Sequence, residues 1–308
     1  MVMAISKVVC MNKRNLRPFV GKLLTTLSVG AAFHAALIIP VRGQAPGFSL
    51  TPMRMDVEIK PGTEKTVSFE VKAGPSATAE QGRLEVIPTD WGIQEDGSIT
   101  FAKPASEKRS ASPWIAFSPA ALTIQSGRSQ LVRITVTVPE GTAPGTYWSG
   151  LFVQERGAAT PPEGEVRAIF VRVRYAFILN VIVSPASAQP ELVNVEVDTS
   201  GPHPSLTCEM TNTGNRHVRP VIFWTIRRNS VVEAQGKRQN TVLLPFATIR
   251  EPHTLDEVTL TPGSYEVSVN VDFQDGKPQQ SMTRTFEVAP PEPPVPITKG
   301  DPDREPPS

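Results

Sequence analysis

The sequence has few cysteines, few aromatic residues and almost no net charge. Its two cysteines are Cys10 and Cys208, and Cys10 lies in an N-terminal segment that we expect to be removed. A disulfide within the processed chain is therefore excluded, and its fold must be held by hydrophobic cores. Aromatic residues make up 6% of the chain and the formal net charge is +1. This composition lacks the basic excess typical of nucleic-acid-binding proteins.

Residues that could support catalysis are also scarce. The four histidines are His34, His203, His217 and His253, and none has the i, i+4 or Cys/His spacing of a metal site. No nucleophile elbow of the GxSxG type and no glycine-rich phosphate loop occurs. We therefore predict no catalytic residue, no metal, no cofactor and no small-molecule substrate. The expected role is binding, not enzymatic activity.

Acidic residues are absent from the first 43 positions, which hold six basic ones. An apolar run from Leu23 to Val41 follows the basic part, and the small residues Val41 and Gly43 suit cleavage before Gln44. We predict that residues 1–43 are a signal peptide, with Met1 or Met11 as its start. The alternative is an uncleaved anchor, because the apolar run is long enough to cross a bilayer. Contact with a membrane is expected only through this segment.

Proline and glycine are abundant, at 31 and 21 residues, and they separate short apolar runs. Between Val132 and Val138, apolar and polar residues alternate, which is typical of a strand with one buried face. Strand-like runs recur about every ten residues without a helical period. The sequence therefore predicts an all-β protein with two immunoglobulin-like β-sandwich domains in tandem. The predicted divisions are a first domain at 44–184, a linker at 185–190, a second domain at 191–288 and a proline-rich disordered tail at 289–308.

Two segments carry the same turn and strand signal. Pro144-Gly145-Thr146-Tyr147 and Pro262-Gly263-Ser264-Tyr265 each place a tyrosine directly after a Pro-Gly turn. In immunoglobulin-like sandwiches, a tyrosine at such a corner returns its hydroxyl to backbone a few residues upstream. We predict this packing role for both tyrosines.

The strands expected in the second domain are bounded by turns that contain glycine or asparagine. They are Glu191–Asp198, Ser205–Thr211, Val221–Arg228, Val231–Gln235, Thr241–Leu244, Glu257–Leu260, Tyr265–Phe273 and Met282–Val288. The longest run in the first domain is Val166 to Val183, and the charges of Arg172 and Arg174 interrupt one of its two apolar faces.

The N-terminal half resembles the PapD-like periplasmic pilus-assembly chaperones. The resemblance rests on FSLTPMR at 48–54, on Trp114 followed by LTIQSGRSQLVRITV, on GTYWSGLFV at 145–153 and on the long run at 166–183. It implies a periplasmic protein whose partners are protein subunits of a pilus or envelope assembly.

The resemblance also implies which residues would act. Two basic residues of the family anchor the C-terminal carboxylate of a pilin subunit; Arg54 corresponds to the first, and Arg174, or Arg172 in a shifted register, to the second. Paired guanidinium groups suit a carboxylate because their bidentate hydrogen bonds are strong and directional. The last strand of the first domain would complete the subunit's sandwich, with Val166, Ala168 and Phe170 as the donated side chains.

A weaker resemblance is to immunoglobulin-like cell-surface proteins that hold wall-associated partners. It rests on PGTEKTVSFEVKAG at 61–74 and on the segment 112–155. This alternative implies a structural or adhesive envelope module without chaperone activity, which would bind through exposed strands or loops and would need no arginine pair.

Overall fold

The computed structural model describes residues 3–8, 47–75, 77–79, 82–157, 170–239 and 241–290. Within these residues all regular structure is β, apart from a 3-10 turn at Ser112–Trp114. The first eleven strands are β1 Met3–Val8, β2 Phe48–Thr51, β3 Arg54–Ile59, β4 Glu64–Ala73, β5 Arg83–Ile93, β6 Ile99–Ala102, β7 Ile115–Ser118, β8 Ala121–Thr123, β9 Ser129–Thr137, β10 Gly145–Glu155 and β11 Phe170–Val183.

These strands form two sheets. One has the order β2-β4-β9-β7; the other runs β1-β11-β10-β5-β6, with β3 paired to β11 and β8 paired to β5. The sheets face each other across an aromatic core, where Phe69 stacks on Phe177 with ring centroids 4.5 Å apart and Phe48 meets Tyr175 edge-on at 5.1 Å. This arrangement is a β-sandwich.

The predicted alternation of β9 is confirmed. Val132, Ile134 and Val136 are fully buried, while Arg133 is exposed on the opposite face. The segment 112–153, which the sequence indicated as three strands, contains four, because the chain leaves one sheet after β7 and enters the other at β8.

The remaining strands build a second sandwich. They are β12 Pro190–Asp198, β13 Ser205–Asn212, β14 Val221–Arg228, β15 Val231–Arg238, β16 Thr248–Thr254, β17 Gly263–Asp272 and β18 Gln280–Val288. Their sheets have the orders β12-β13-β16 and β15-β14-β17-β18. Met210 and Ile249 of the first sheet and Ile226, Val267 and Val269 of the second share one buried cluster. The prediction of an all-β protein with two sandwiches is confirmed.

Two predicted strands of the second sandwich were wrong, and one strand was missed. Neither Thr241–Leu244 nor Glu257–Leu260 is a strand; Leu243 forms only an isolated bridge to Val218. The strand that completes the smaller sheet is β16, which the sequence analysis did not predict. Its inward-facing Glu251 interrupts the apolar alternation, and Pro252 is tolerated because β16 is the terminal strand of its sheet.

Both predicted tyrosine corners are present. The Tyr147 hydroxyl donates to the carbonyl oxygen of Ala143 at 3.0 Å, and that of Tyr265 donates to the carbonyl oxygen of Thr261 at 2.8 Å. The glycines that open these strands, Gly145 and Gly263, have φ of 134° and 147°, which side chains rarely allow. The Tyr265 ring is buried, whereas that of Tyr147 is only half-buried.

The chain divides into two compact units, and each unit is made of three separate segments of the sequence. Unit 1 comprises Met1–Asp90, Lys103–Glu140 and Trp148–Val181, and unit 2 comprises Trp91–Ala102, Gly141–Tyr147 and Ile182–Ser308. The predicted domain limits, linker and tail remain predictions.

Cys208 is buried on β13 in unit 2, as expected for a small apolar side chain. Its burial raises the pKa of the thiol to about 12, so the group is protonated and unreactive near neutral pH. Among the described residues, no helix has the length and hydrophobicity needed to span a membrane.

Candidate functional site

The candidate site lies at β11, where one stretch of strand edge has an unusual partner. Residues Phe170–Tyr175 of β11 pair in antiparallel register with Met3–Val8 of β1, from Val8 beside Phe170 to Met3 beside Tyr175. On its other side β11 pairs with β10. Since β1 belongs to the predicted signal peptide, cleavage before Gln44 would leave Phe170–Tyr175 without a described partner on that side. The backbone there would then present unpaired N–H and C=O groups.

The three residues predicted to donate side chains are only partly covered by the structure. Val166 and Ala168 lie outside the described residues. Phe170 is the first residue of β11, and only its backbone is described. Their proposed role in strand donation stays a prediction.

Arg174 lies on the face of its sheet that is turned away from the sandwich core. Its neighbours Tyr175 and Phe177 point inward to the rings of Phe48 and Phe69, so alternation along β11 directs Arg174 to the opposite face. There the guanidinium carbon lies 5.0 Å from the centroid of the Phe152 ring. The Nε atom is buried and has no hydrogen-bond partner within the described part of the chain.

Arg54 is exposed at the start of β3, which pairs with β11. The Ile178 N–H donates to the carbonyl oxygen of Met53 at 2.9 Å, which sets Arg54 close to the level of Ile178. Arg174 lies four residues earlier on β11, a separation of about 13 Å along the strand. The two arginines are thus on neighbouring strands but at different levels.

Asn180 is the polar β11 residue nearest the level of Arg54, and the sequence analysis did not select it. Its side chain is fully buried, and Nδ2 donates to Oδ1 of Asp56 at 2.8 Å. That bond fixes the orientation of the Asn180 amide. The Oδ1 atom of Asn180 is buried and has no hydrogen-bond partner in the described chain. Asp56 follows Arg54 by two residues, so the two side chains share a face of β3. An asparagine within the apolar run FILNVIV was the available sequence signal.

Arg172, the alternative second anchor, is described only by its backbone. Its Cα lies opposite that of Ser6 in the β1–β11 ladder. Arg172 lies two residues beyond Arg174 on β11, so its separation from Arg54 is larger, about 20 Å along the strand. Of the two β11 arginines, Arg174 is therefore the closer to Arg54.

Comparison with known proteins gives structural but no sequence matches. No protein-family model and no curated protein sequence matches the chain. The structure is similar to fimbrial chaperones. It resembles a chain of the CsuC-CsuE chaperone–tip adhesion subunit complex from Csu pili of Acinetobacter baumannii, with 15% identity, a TM-score of 0.40, and coverage of 77% of this chain and 97% of that one.

Two further similar structures are chaperones solved alone. The Escherichia coli chaperone DraB has 14% identity and a TM-score of 0.35, with coverage of 79% of this chain and 97% of that one. The Pseudomonas aeruginosa chaperone CupB2 has 12% identity and a TM-score of 0.35, with coverage of 77% and 99%.

Proposed function

We propose that the chain is an exported, periplasmic binding protein that holds protein subunits of a pilus or envelope assembly by adding a β-strand at Phe170–Tyr175. The observation that carries this proposal is the β1–β11 ladder. A continuous six-residue register with β1 indicates that this edge accepts an antiparallel strand. Because β1 lies in the predicted signal peptide, processing would vacate the edge for a strand from another chain. No step of this role requires catalysis.

Carboxylate anchoring is the second part of the proposal. Arg54 is exposed and can donate to an acceptor, whereas Arg174 is half-buried and its buried Nε has no partner among the described residues. The separation of about 13 Å along the strand means that one carboxylate would contact both only with the two side chains extended toward each other. We therefore assign the main anchoring contact to Arg54 and a weaker one to Arg174, with Arg172 as the more distant alternative.

A structural or adhesive envelope module remains the second candidate. The separation of Arg54 and Arg174 along the strand favours it, as does the hydrogen bond that holds the Asn180 amide to Asp56 near the level of Arg54. Such a module would bind independently of a partner's C-terminal carboxylate.

Strand acceptance can be tested with a probe taken from the chain itself. A synthetic peptide of residues 3–8, MAISKV, should bind the processed chain, whose N-terminus is checked by mass spectrometry. The same peptide N-methylated at alternate amides should not bind, because backbone hydrogen bonds carry the interaction. Binding of both peptides with equal affinity, or of neither, would argue against an accepting edge at β11.

Partner anchoring needs a separate test. A photo-crosslinking residue at position 171 should capture envelope subunits in cells, whereas the same residue at Glu287 on β18 should not. Arg54→Ala should reduce capture with little change in thermal unfolding, and Arg133→Ala, an exposed arginine on the other sheet, is the matched control. Amide-capping or extending the captured subunit's C-terminus should have the same effect as Arg54→Ala. If neither change reduces the amount of subunit captured, the result would favour the adhesive module.

A further inference from the structure

Unit 1 contains a half-open cavity that the proposed β11 site does not use. Its volume is about 240 Å³, and it lies between β5 and β10 of one sheet and β7 of the other. Its walls are mainly apolar and include Pro88, Pro113, Ile115, Phe117 and Leu151. A 150 Å³ apolar cavity suffices to bind benzene, so this one has room for a large apolar side chain.

The loop that covers the cavity is held in place by a buried carboxylate. Asp90 Oδ2 accepts hydrogen bonds from the backbone N–H groups of Ser106 and Glu107 at 2.9 and 3.0 Å. Its Oδ1 accepts from the hydroxyls of Ser110 and Ser112 at 2.8 and 2.5 Å. With Asp90 fully buried, these four bonds fix residues 103–112 over the cavity. The cavity is therefore preformed by a rigid wall.

One residue of this wall is strained. Ala105 lines the cavity with φ of 62°, in the left-handed region that a residue with a Cβ rarely adopts. Such strain persists only where the surroundings enforce it, and it is concentrated at ligand-binding positions. The next residue, Ser106, is held by its N–H bond to the buried Asp90.

A free strand edge borders the cavity. β7 is the terminal strand of its sheet and pairs only with β9 within the described chain. Ile115 and Phe117 turn toward the cavity, while Ala116 and Ser118 are exposed on the opposite side. An extended peptide that paired with β7 would therefore direct every second side chain to the cavity. Main-chain bonds with pockets for alternate side chains are the hallmark of strand addition.

The charges near the mouth indicate the chemistry of the partner. Lys103 and Lys108 on the covering loop are exposed and form no ion pair with any described residue, and Glu107 is the one acidic residue between them. The two ammonium groups outnumber the one carboxylate on this loop, so the loop attracts carboxylates and repels basic segments.

We propose that β7 and the cavity form a second binding site, for an extended acidic peptide segment of a partner protein, with an apolar side chain seated in the cavity. This site is separate from the β11 edge. It requires neither Arg54 nor the removal of residues 1–43.

The test uses 3-phenylpropanoate, an anionic aromatic probe, and amide NMR of the exported chain. Saturable shifts are expected at Ile115, Phe117, Leu151 and the covering loop. Ile115→Trp fills the cavity from β7 and should weaken binding at least about tenfold, equivalent to 1.4 kcal/mol. Ala116→Trp places the same side chain on the exposed side of β7 and should leave affinity within about twofold. Equal affinities in the two variants, or shifts that map elsewhere, would overturn the site.

The charge preference and the peptide are tested next. The neutral analogue 3-phenylpropanol should bind about threefold more weakly at low salt, and the difference should vanish at high salt because ions screen exposed charges. Peptides selected from a displayed library should carry Asp or Glu around an apolar residue and should be displaced by 3-phenylpropanoate. Equal binding of the alcohol, or a selection that yields no competing peptide, would overturn the assignment of an acidic partner. Arg54→Ala should alter none of these results, which separates this site from the one on β11.

Discussion

Among the described residues, each unit buries one carboxylate, and the two units stabilise it in different ways. In unit 1, Asp90 is bound by two backbone N–H groups and two hydroxyls and forms no ion pair with a described residue. In unit 2, Glu251 is 8% exposed, forms an ion pair with Arg238, and accepts a hydrogen bond from the Thr241 hydroxyl at 2.7 Å. One carboxylate is satisfied half by backbone N–H groups and half by hydroxyls, the other wholly by side chains.

The difference determines whether either carboxylate can be replaced. Side-chain partners can be removed together with the charge, and a buried ion pair can often be exchanged for apolar residues at little cost. Backbone donors cannot be removed, so loss of Asp90 leaves the N–H groups of Ser106 and Glu107 without their acceptor. Unit 1 should therefore depend on its carboxylate more strictly than unit 2 does.

The largest effect is expected for Asp90→Leu. Substitution leaves the N–H groups of Ser106 and Glu107 unsatisfied, and we expect a loss of about 3 kcal/mol in the free energy of unfolding. Adding Ser110→Ala and Ser112→Ala should not restore stability, because the backbone donors remain. Denaturant unfolding measures the loss, and hydrogen exchange at residues 103–112 locates it. A triple variant as stable as the parent would contradict the argument.

The second effect belongs to unit 2. Arg238→Met leaves Glu251 buried with only Thr241 as a partner, and we expect a loss of about 2 kcal/mol; the value is below the range for fully buried pairs because Arg238 is 28% exposed. The double variant Arg238→Met with Glu251→Leu should recover most of this loss. Denaturant unfolding of the single and double variants tests the recovery. If the double variant does not regain stability, Glu251 has a further role, and it would then be no easier to replace than Asp90.

The same contrast explains what the sequence could predict. The strand limits of β14 follow from local alternation, and the structure reproduces the predicted Val221–Arg228 residue for residue. β16 was missed because its inward position holds a charge, and only Arg238 and Thr241, distant in sequence, make that charge acceptable. The serines that bind Asp90 lie 16 to 22 residues away from it and read as an ordinary polar loop.

The candidate site was predictable to a similar extent. The resemblance to the PapD-like family pointed to Arg54 and Arg174, and both are charges within otherwise apolar strand sequences. The sequence could not predict how far apart the two arginines lie along the sheet, because this distance depends on how β3 and β11 pair. The hydrogen bond from the Ile178 N–H to the Met53 carbonyl oxygen sets that pairing. The strand facing Phe170–Tyr175 could not be foreseen either, because residues 3–8 lie in the predicted signal peptide and show no strand alternation.

The smallest expected effect is a pH dependence confined to unit 2. All described histidines lie in that unit. The pKa of His253 is lowered from its usual 6.5, first by burial and then by the charge of Arg238. The unfolded chain therefore binds a proton more readily than the folded one, so stability is full above about pH 6.5 and declines as the pH falls below that value.

Hydrogen exchange at pH 7 and pH 5.5 should detect this decline in β13 and β16 but not in β4 or β9 of unit 1. His253→Gln should abolish the decline, His203→Gln should not, and Arg238→Met should reduce it because one of its two causes is removed. The pH range from 5.5 to 7 lies above the range in which Asp96 and Asp198 titrate, because hydrogen bonds with Ser98 and Ser200 lower the pKa of these carboxyls below 3.8. An equal decline in both units would assign the effect to general charge repulsion, because the described histidine whose pKa is lowered, His253, lies in unit 2.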